Sequence, residues 1–115
     1  MLIKRTLSPI ISLPIGGGVT ITVGKAIGMS SGEAVLADKD QQISALGLAK
    51  SVQGSIVYIQ TEGKFNKANS NLNYWLGTNG ELVDTVPTSG MVQQIAKQID
   101  AQNVLIDIDK TVIIL

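Results

Sequence analysis

The chain has 115 residues, a length that predicts one domain with one modest core. Nine basic and nine acidic residues cancel, and no basic run exceeds Lys4 and Arg5, so the clustered cations that bind nucleic acid are missing. Cysteine and histidine are absent, which removes disulfides, thiolate metal sites and the commonest catalytic bases and nucleophiles. We therefore expect a non-enzymatic protein with no cofactor, no metal and no nucleic-acid partner.

Residues 1–15 are predicted to form an extended N-terminal arm. Lys4 and Arg5 follow an apolar pair, and two prolines interrupt the apolar stretch, so we expect neither a signal peptide nor a membrane span. Three glycines after Pro14 predict a flexible joint over residues 14–18. The arm's apolar side chains need an outside surface, and residues 6–11 are expected to add a strand to a neighbour or to bind a groove on it. The predicted partner-binding residues are Leu2, Ile3, Leu7, Ile10, Ile11 and Leu13.

Short apolar runs between glycines predict β-strands along the rest of the chain. Residues 19–23 contain only Val, Thr and Ile in strict alternation, which is typical of a half-buried strand. Three further runs are similarly apolar and β-branched: residues 55–61, 103–108 and 111–115. Asn79 and Gly80, flanked by apolar residues, predict a tight hairpin turn.

Only two segments, residues 41–50 and 91–102, have helical character. In the second, Val92, Ile95 and Ile99 lie near a helical spacing, and propensity favours a helix. The same run also alternates in part between polar and apolar residues, which favours a strand. The sequence leaves both interpretations open.

A weak internal repeat has a period of roughly 47 residues, which fits a unit of several strands. Residues 32–35 (Gly-Glu-Ala-Val) are echoed by residues 80–83 (Gly-Glu-Leu-Val), and residues 48–50 (Leu-Ala-Lys) by residues 95–97 (Ile-Ala-Lys). The echo predicts either a duplication or a chance match of short apolar words.

Two pairs of carboxylates are spaced for a shared cation: Asp38 with Asp40, and Asp107 with Asp109. On a strand, residues two apart point to one face and could hold calcium together. Neither pair is followed by the Gly and bidentate Glu of a calcium loop, so turn capping and charged sheet edges are the favoured interpretation. No metal site is predicted.

Tyr58, Tyr74 and Trp75 supply most of the aromatic surface. Exposed rings could anchor sugars or protein partners. The favoured alternative places Tyr74 and Trp75 on opposite faces of one strand, with one ring packed into the core, because few other side chains can fill it.

A series of short glycine-containing and apolar sequence words follows a fixed order along the chain: residues 32–35 with Asp38, then 45–49, Gly54, 57–63, 74–76 before Gly80, Pro87, 92–96 and 104–108. This order resembles a small β domain of tailed-phage virion proteins, found in capsid decoration proteins and in parts of fibres and spikes. The resemblance covers residues 19–108, and Ala96 departs from it where the family more often has Gly.

We predict a mainly β fold, a compact antiparallel β barrel or sandwich, with residues 1–15 as the arm and residues 16–115 as a single β domain. The resemblance implies a homotrimer that does no chemistry, and near-zero net charge also favours association. The predicted function is a capsid decoration, or cement, protein that binds and stabilises the major capsid protein. It would be made in the host cytoplasm and lie on the virion surface, away from membranes. The alternatives are a tail fibre, spike or receptor-binding component and, from another class, a carbohydrate-binding module.

Overall fold

The computed structural model describes residues 9–115, which form twelve β-strands and no helix. The predicted mainly β, antiparallel fold is confirmed. The strands are β1 Ile10–Pro14, β2 Ala26–Ser30, β3 Glu33–Leu36, β4 Gly47–Gln53, β5 Ile56–Gln60, β6 Gly63–Asn66, β7 Asn73–Leu76, β8 Leu82–Val83, β9 Met91–Val92, β10 Gln94–Asp100, β11 Asn103–Ile106 and β12 Ile113–Ile114.

These strands form two five-stranded antiparallel sheets and a two-stranded ribbon of β9 and β12. The order is β1-β5-β4-β2-β3 in the first sheet and β6-β11-β10-β7-β8 in the second. In the first sheet, Ile15 makes a parallel bridge to Ala34, which brings the two edge strands together. The first sheet therefore curls toward closure, although the word barrel fits the whole molecule only loosely.

The second sheet repeats the topology of the first, strand for strand. The β4–β5 hairpin corresponds to the β10–β11 hairpin, β2–β3 corresponds to β7–β8, and β1 corresponds to β6. Side-chain burial repeats as well: Leu48 and Ala49 are buried and Lys50 is exposed. At the equivalent positions, 47 residues later, Ile95 and Ala96 are buried and Lys97 is exposed. The weak sequence echo thus marks a real structural repeat.

Two apolar clusters form the core, and the central strands of the first sheet contribute to both. Ile27 and Ala49 lie in the cluster inside the first sheet. Their chain neighbours Ala26 and Leu48 lie in a larger cluster together with second-sheet residues such as Val104. Because successive side chains of a strand point to opposite faces, the first sheet packs its own core on one face and the second sheet on the other.

Residues 91–102 are strands, so the helical interpretation of this segment was wrong. β10 lies between β7 and β11 and pairs with both, with bulges that interrupt its register. Residues 41–50 are likewise turn and strand, with β4 beginning at Gly47. Pairing on two sides and burial of alternate side chains outweigh a weak helix propensity.

Residues 19–23 are not a strand, which contradicts the sequence prediction. Two of the alternating apolar side chains, Val19 and Ile21, nevertheless pack against the first-sheet core. The third, Val23, is exposed. The backbone turns at its start, where the Val19 N–H donates to the Gly16 carbonyl at 3.1 Å. The segment covers the core as an irregular loop without a partner strand.

The predicted Asn79 and Gly80 turn is confirmed. Both residues have positive φ, 50° and 72°, as in a type I′ hairpin turn. The turn also joins the two sheets, since the Gly80 N–H donates to the Ala37 carbonyl at 2.6 Å and the Ala26 N–H donates to the Gly80 carbonyl at 2.8 Å.

Gly47→Ala is expected to destabilise the protein by about 3 kcal/mol, because overpacking a closed site forces backbone and side chains apart. A Cβ at Gly47 would meet the Gln60 carbonyl oxygen and would lie 2.8 Å from the Ile59 Cγ2 atom. Gly17→Ala is the matched control, since no heavy atom lies within 4 Å of its Cβ position. Urea denaturation of the two variants measures the difference, and equal midpoints would show that the β4–β5 approach is loose.

Candidate functional site

The predicted arm is extended from Ile10 to Pro14, but it belongs to the chain's own first sheet. It forms β1, antiparallel to β5, with Ile11 opposite Ile59 and Leu13 opposite Val57. Leu13 also packs against the first-sheet core. The predicted boundary between residues 15 and 16 therefore needs correction, because β1 covers what would otherwise be an open edge of β5.

The predicted flexible joint at residues 14–18 is anchored. The Ile15 N–H donates to the Ser55 carbonyl at 2.8 Å, and the Gly16 N–H donates to the Ala34 carbonyl at 2.9 Å. These bonds tie the end of β1 to both neighbouring hairpins. Gly16 allows a close approach of two backbone segments, because a Cβ there would lie 3.3 Å from the Ala34 carbonyl oxygen.

The six predicted partner-binding residues divide into two groups. Ile10, Ile11 and Leu13 lie on β1, and among them Ile11 is the most exposed, at 39%. Leu2, Ile3 and Leu7 lie outside the described residues. Their binding to a partner stays a prediction.

The aromatic side chains do not form one exposed platform. The Tyr74 ring packs against the larger core cluster, and its Oη accepts the N–H groups of Ser70 and Asn71 at 3.0 Å each. Trp75, the next residue on the strand, is also half-buried, whereas Tyr58 lies on the first sheet. The prediction that one ring of the Tyr74 and Trp75 pair packs into the core is confirmed.

Asp38 caps a turn, as the favoured interpretation predicted. Its buried carboxylate accepts three backbone N–H groups, from Asp40 at 2.8 Å, from Gln41 at 3.1 Å and from Asn79 at 3.1 Å. Burial alone would raise the pKa of Asp38, but these three bonds outweigh it and leave the pKa below its ordinary value. Since its oxygens are already engaged, Asp38 ties two turns together.

The residues of the other pair, Asp107 and Asp109, are also tied to the second sheet, Asp107 through its carboxylate and Asp109 through its backbone. Asp107 forms an ion pair with Lys97 at 3.4 Å. The Asp109 backbone N–H donates to the Gln94 carbonyl at 3.0 Å. Among residues 9–115, no group of three His, Cys, Asp or Glu side chains is arranged to hold a metal ion.

One exposed feature is apolar. β12 pairs with β9 on one side, Ile113 opposite Val92 and Ile114 opposite Met91, and within residues 9–115 no strand pairs with its other side. Ile113, Ile114 and Leu115 are 59%, 51% and 61% exposed. We call these three residues the ribbon edge. Edge strands are protected against pairing by short length, charges or prolines; β12 is only two residues long but carries neither a charge nor a proline.

A second feature is an open cleft of about 640 Å³ where the two sheets meet. Its walls come from four separate stretches of the chain. The lining residues are Ser44, Ala45, Leu46, Thr61, Glu62, Gln93, Ile106, Asp107, Ile108, Asp109, Lys110 and Val112.

Gln93 holds the walls of the cleft together. It is buried, its Oε1 accepts the Ala45 N–H at 2.8 Å, and its Nε2 donates to the Asp109 carbonyl at 3.1 Å. Gln60, also buried, donates from Nε2 to the Glu62 and Lys64 carbonyls at 2.9 and 2.8 Å. Sequence reasoning missed both glutamines, since a single Gln beside an apolar run carries no distinctive signal.

The cleft is mixed in chemistry. Ala45, Leu46 and the residues of the β11 end provide apolar surface, whereas Glu62, Asp107 and Asp109 provide negative charge that Lys110 offsets only in part. Its volume lies within the range of about 300 to 1,000 Å³ that is typical of ligand-binding clefts. Among the described residues, no helix is long and apolar enough to cross a membrane.

Comparison with known proteins gave no match: no family model, no curated protein and no solved structure is similar to this chain. The resemblance to virion domains therefore rests on the sequence words alone.

Proposed function

We propose that the protein is a non-enzymatic structural module that associates with copies of itself and decorates the capsid of a tailed bacteriophage, where it stabilises the major capsid protein. The observation that supports self-association is the ribbon edge. Three large apolar side chains are exposed there, two on β12 and one directly after it, and the outer side of β12 has no partner strand within residues 9–115. Pairing of such an edge with another chain buries apolar area and satisfies backbone hydrogen bonds together.

A structural role also agrees with how the chain uses its acidic side chains. Six of the nine acids make hydrogen bonds or ion pairs within the chain: Asp38, Asp40, Glu81, Asp84, Asp100 and Asp107. A catalytic carboxylate instead needs a pKa tuned near the operating pH and a path to substrate. Asp38, the most buried acid, has its pKa shifted downward, away from that range.

The capsid assignment rests on the order of sequence words that resembles virion domains, together with a net charge of zero that favours association. A carbohydrate-binding role has no comparable support, because Tyr58, Tyr74 and Trp75 are half-buried and divided between two sheets.

Ile114→Lys is expected to weaken self-association by at least about tenfold, which corresponds to about 1.4 kcal/mol. The lysine places a charge in the interface but disturbs no core contact, since Ile114 is 51% exposed and packs against neither core cluster. Leu72→Lys is the matched control, because Leu72 is 74% exposed in a loop before β7. Analytical ultracentrifugation of the wild type and both variants gives the oligomer size and its dissociation constant, with a trimer as the expected species.

The capsid role is tested separately on virions. Particles assembled without the protein should rupture at lower temperature, because many copies of a standard interface of about 1,600 Å² each add stability to the shell.

A monodisperse wild-type monomer, with no trimer on particles, would contradict the self-association proposal. Particles that keep their heat resistance but no longer adsorb to cells would replace the cement role by a fibre role.

A further inference from the structure

The described chain begins at the rim of the cleft. The Pro9 carbonyl accepts both the backbone N–H of Thr61 at 2.7 Å and its hydroxyl at 3.0 Å, and Thr61 is one of the lining residues. Residues 1–8 therefore attach to the protein beside the cleft. Extended, eight residues reach about 26 Å, and the molecule measures 50 × 35 × 25 Å. The segment is long enough to follow the cleft.

The composition of the segment complements the cleft. Leu2, Ile3 and Leu7 can bury apolar surface against Leu46 and Ile108. Between them lie Lys4 and Arg5, which carry two positive charges. The cleft offers negative charge in return, because its lining contains three carboxylates and one lysine. Since Asp107 already pairs with Lys97, the carboxylates that remain for the two basic residues are Glu62 and Asp109.

We infer that the cleft is the binding site for residues 2–7 of the same chain. A tether that starts at the rim gives the segment a high effective concentration at its own cleft. A neighbouring copy would in addition lose translational and rotational freedom on binding. The inference goes beyond the proposed function, because it assigns the cleft to an internal ligand and leaves the ribbon edge as the surface for other copies.

The absence of cysteine makes a direct test practical. Leu2→Cys provides a single site for a nitroxide label, whose unpaired electron broadens nearby amide signals in an ¹⁵N spectrum. The expected result is loss of most amide intensity at Leu46, Ile108 and Asp109, reversed when the label is reduced. The turn at Gly54 and Ser55, at the tip of the β4–β5 hairpin, should keep its intensity. Ile3→Cys serves as a second label position should Leu2→Cys fold poorly.

A mixed sample distinguishes binding of the chain's own segment from binding of a segment supplied by a neighbouring copy. Labelled chains without ¹⁵N are combined with unlabelled ¹⁵N chains, with Ile114→Lys in both to weaken association through the ribbon edge, so any broadening at the cleft arises from an arm exchanged between copies. We expect none at the cleft. Broadening in the mixed sample would overturn the inference in favour of an arm exchanged between copies, and no broadening in either sample would show that the segment lies elsewhere.

A separate pair of variants tests whether the negative charge of the cleft helps to bind the segment. Glu62→Lys with Asp109→Lys should reduce the loss of intensity at Leu46 and Ile108, because both partners of the basic residues become repulsive. Glu33→Lys, an exposed acid on β3 that does not line the cleft, is the control and should leave the loss unchanged. An equal loss in both variants would contradict the role of charge. Dispersed amide spectra confirm folding in each case, and association measured through the ribbon edge tests the proposed function independently.

Discussion

Removal of residues 1–13 is expected to unfold the protein, whereas removal of residues 1–8 leaves it folded. The longer deletion takes away nearly all of β1, which pairs with β5 along five residues and places Leu13 against the first-sheet core. It exposes the edge of β5 and opens the core at the same time. Loss of a whole edge strand that covers the core removes an amount comparable to the total stability of a small domain, about 5 to 15 kcal/mol. Thermal melting followed by circular dichroism distinguishes the two deletions.

The correspondence between the two sheets explains why the protein is expected to need β1 in order to fold. β6 occupies the equivalent position beside β11, and its Phe65 is buried in the larger cluster, as Leu13 is partly buried in the smaller one. Each five-stranded unit thus needs its outer strand to cover the central hairpin. A cooperative transition of residues 14–115 at the wild-type midpoint would contradict this and restore the arm as a separate element.

Local patterns predicted much of the strand content. The runs at residues 55–61 and 103–108 became β5 and β11, and the Asn79 and Gly80 signal became a hairpin turn. These signals depend on alternation and turn chemistry, which are local. Residues 19–23 show where such reasoning ends, since their alternation is real but no neighbouring strand is available to pair with them.

The position of β1 was harder to predict for a related reason. Ile10 and Ile11 between two prolines have the composition of an edge strand as much as that of an arm. The deciding fact is the open edge of β5, whose Gln60 lies 50 residues further along the chain than its partner Ile10. The repeat could have indicated it, because an outer strand beside one hairpin implies an equivalent strand beside the other.

The cleft could not be predicted from local patterns at all. Its walls come from residues 44–46, 61–62, Gln93 and the stretch from Ile106 to Val112, which only the packing of the two sheets brings together. Polar residues such as Gln93 and Gln60 are recognisable as structural only when their burial and partners are known. The charge on the cleft likewise appears only after Glu62 and Asp109 are placed on one surface.

Asp38→Asn is expected to destabilise the protein by about 3 kcal/mol at neutral pH. The asparagine can still accept the N–H groups of Asp40 and Gln41 through its oxygen. Its amide group then faces the Asn79 N–H, so that two donors meet at a partly buried position. Hydrogen bonds to a charged group contribute about 1.5 to 3 kcal/mol, and an unsatisfied buried donor adds a further cost. Urea denaturation at pH 7 measures the loss.

The same contacts predict how this loss depends on pH. The pKa of Asp38 in the folded protein lies below its ordinary value of 3.8, so the folded state binds the proton less readily than the unfolded state. The carboxylate's contribution is therefore fully present above about pH 5 and is lost as pH falls through the unfolded value toward the folded one. The stability difference between wild type and Asp38→Asn should be constant from pH 7 to pH 5 and should shrink below pH 4.

Asp100→Asn is the matched control for this series. Asp100 also caps a turn, because its carboxylate accepts hydrogen bonds from the Gln102 N–H and the Asn103 side chain. These bonds, the first more than the second, lower the pKa of Asp100, but its carboxylate is exposed. Water replaces the lost partner at an exposed turn, so its effect on stability should be much smaller at every pH. Equal losses for Asp38→Asn and Asp100→Asn would contradict the argument, since they would show that burial of the Asp38 carboxylate between two turns adds nothing to an ordinary turn cap.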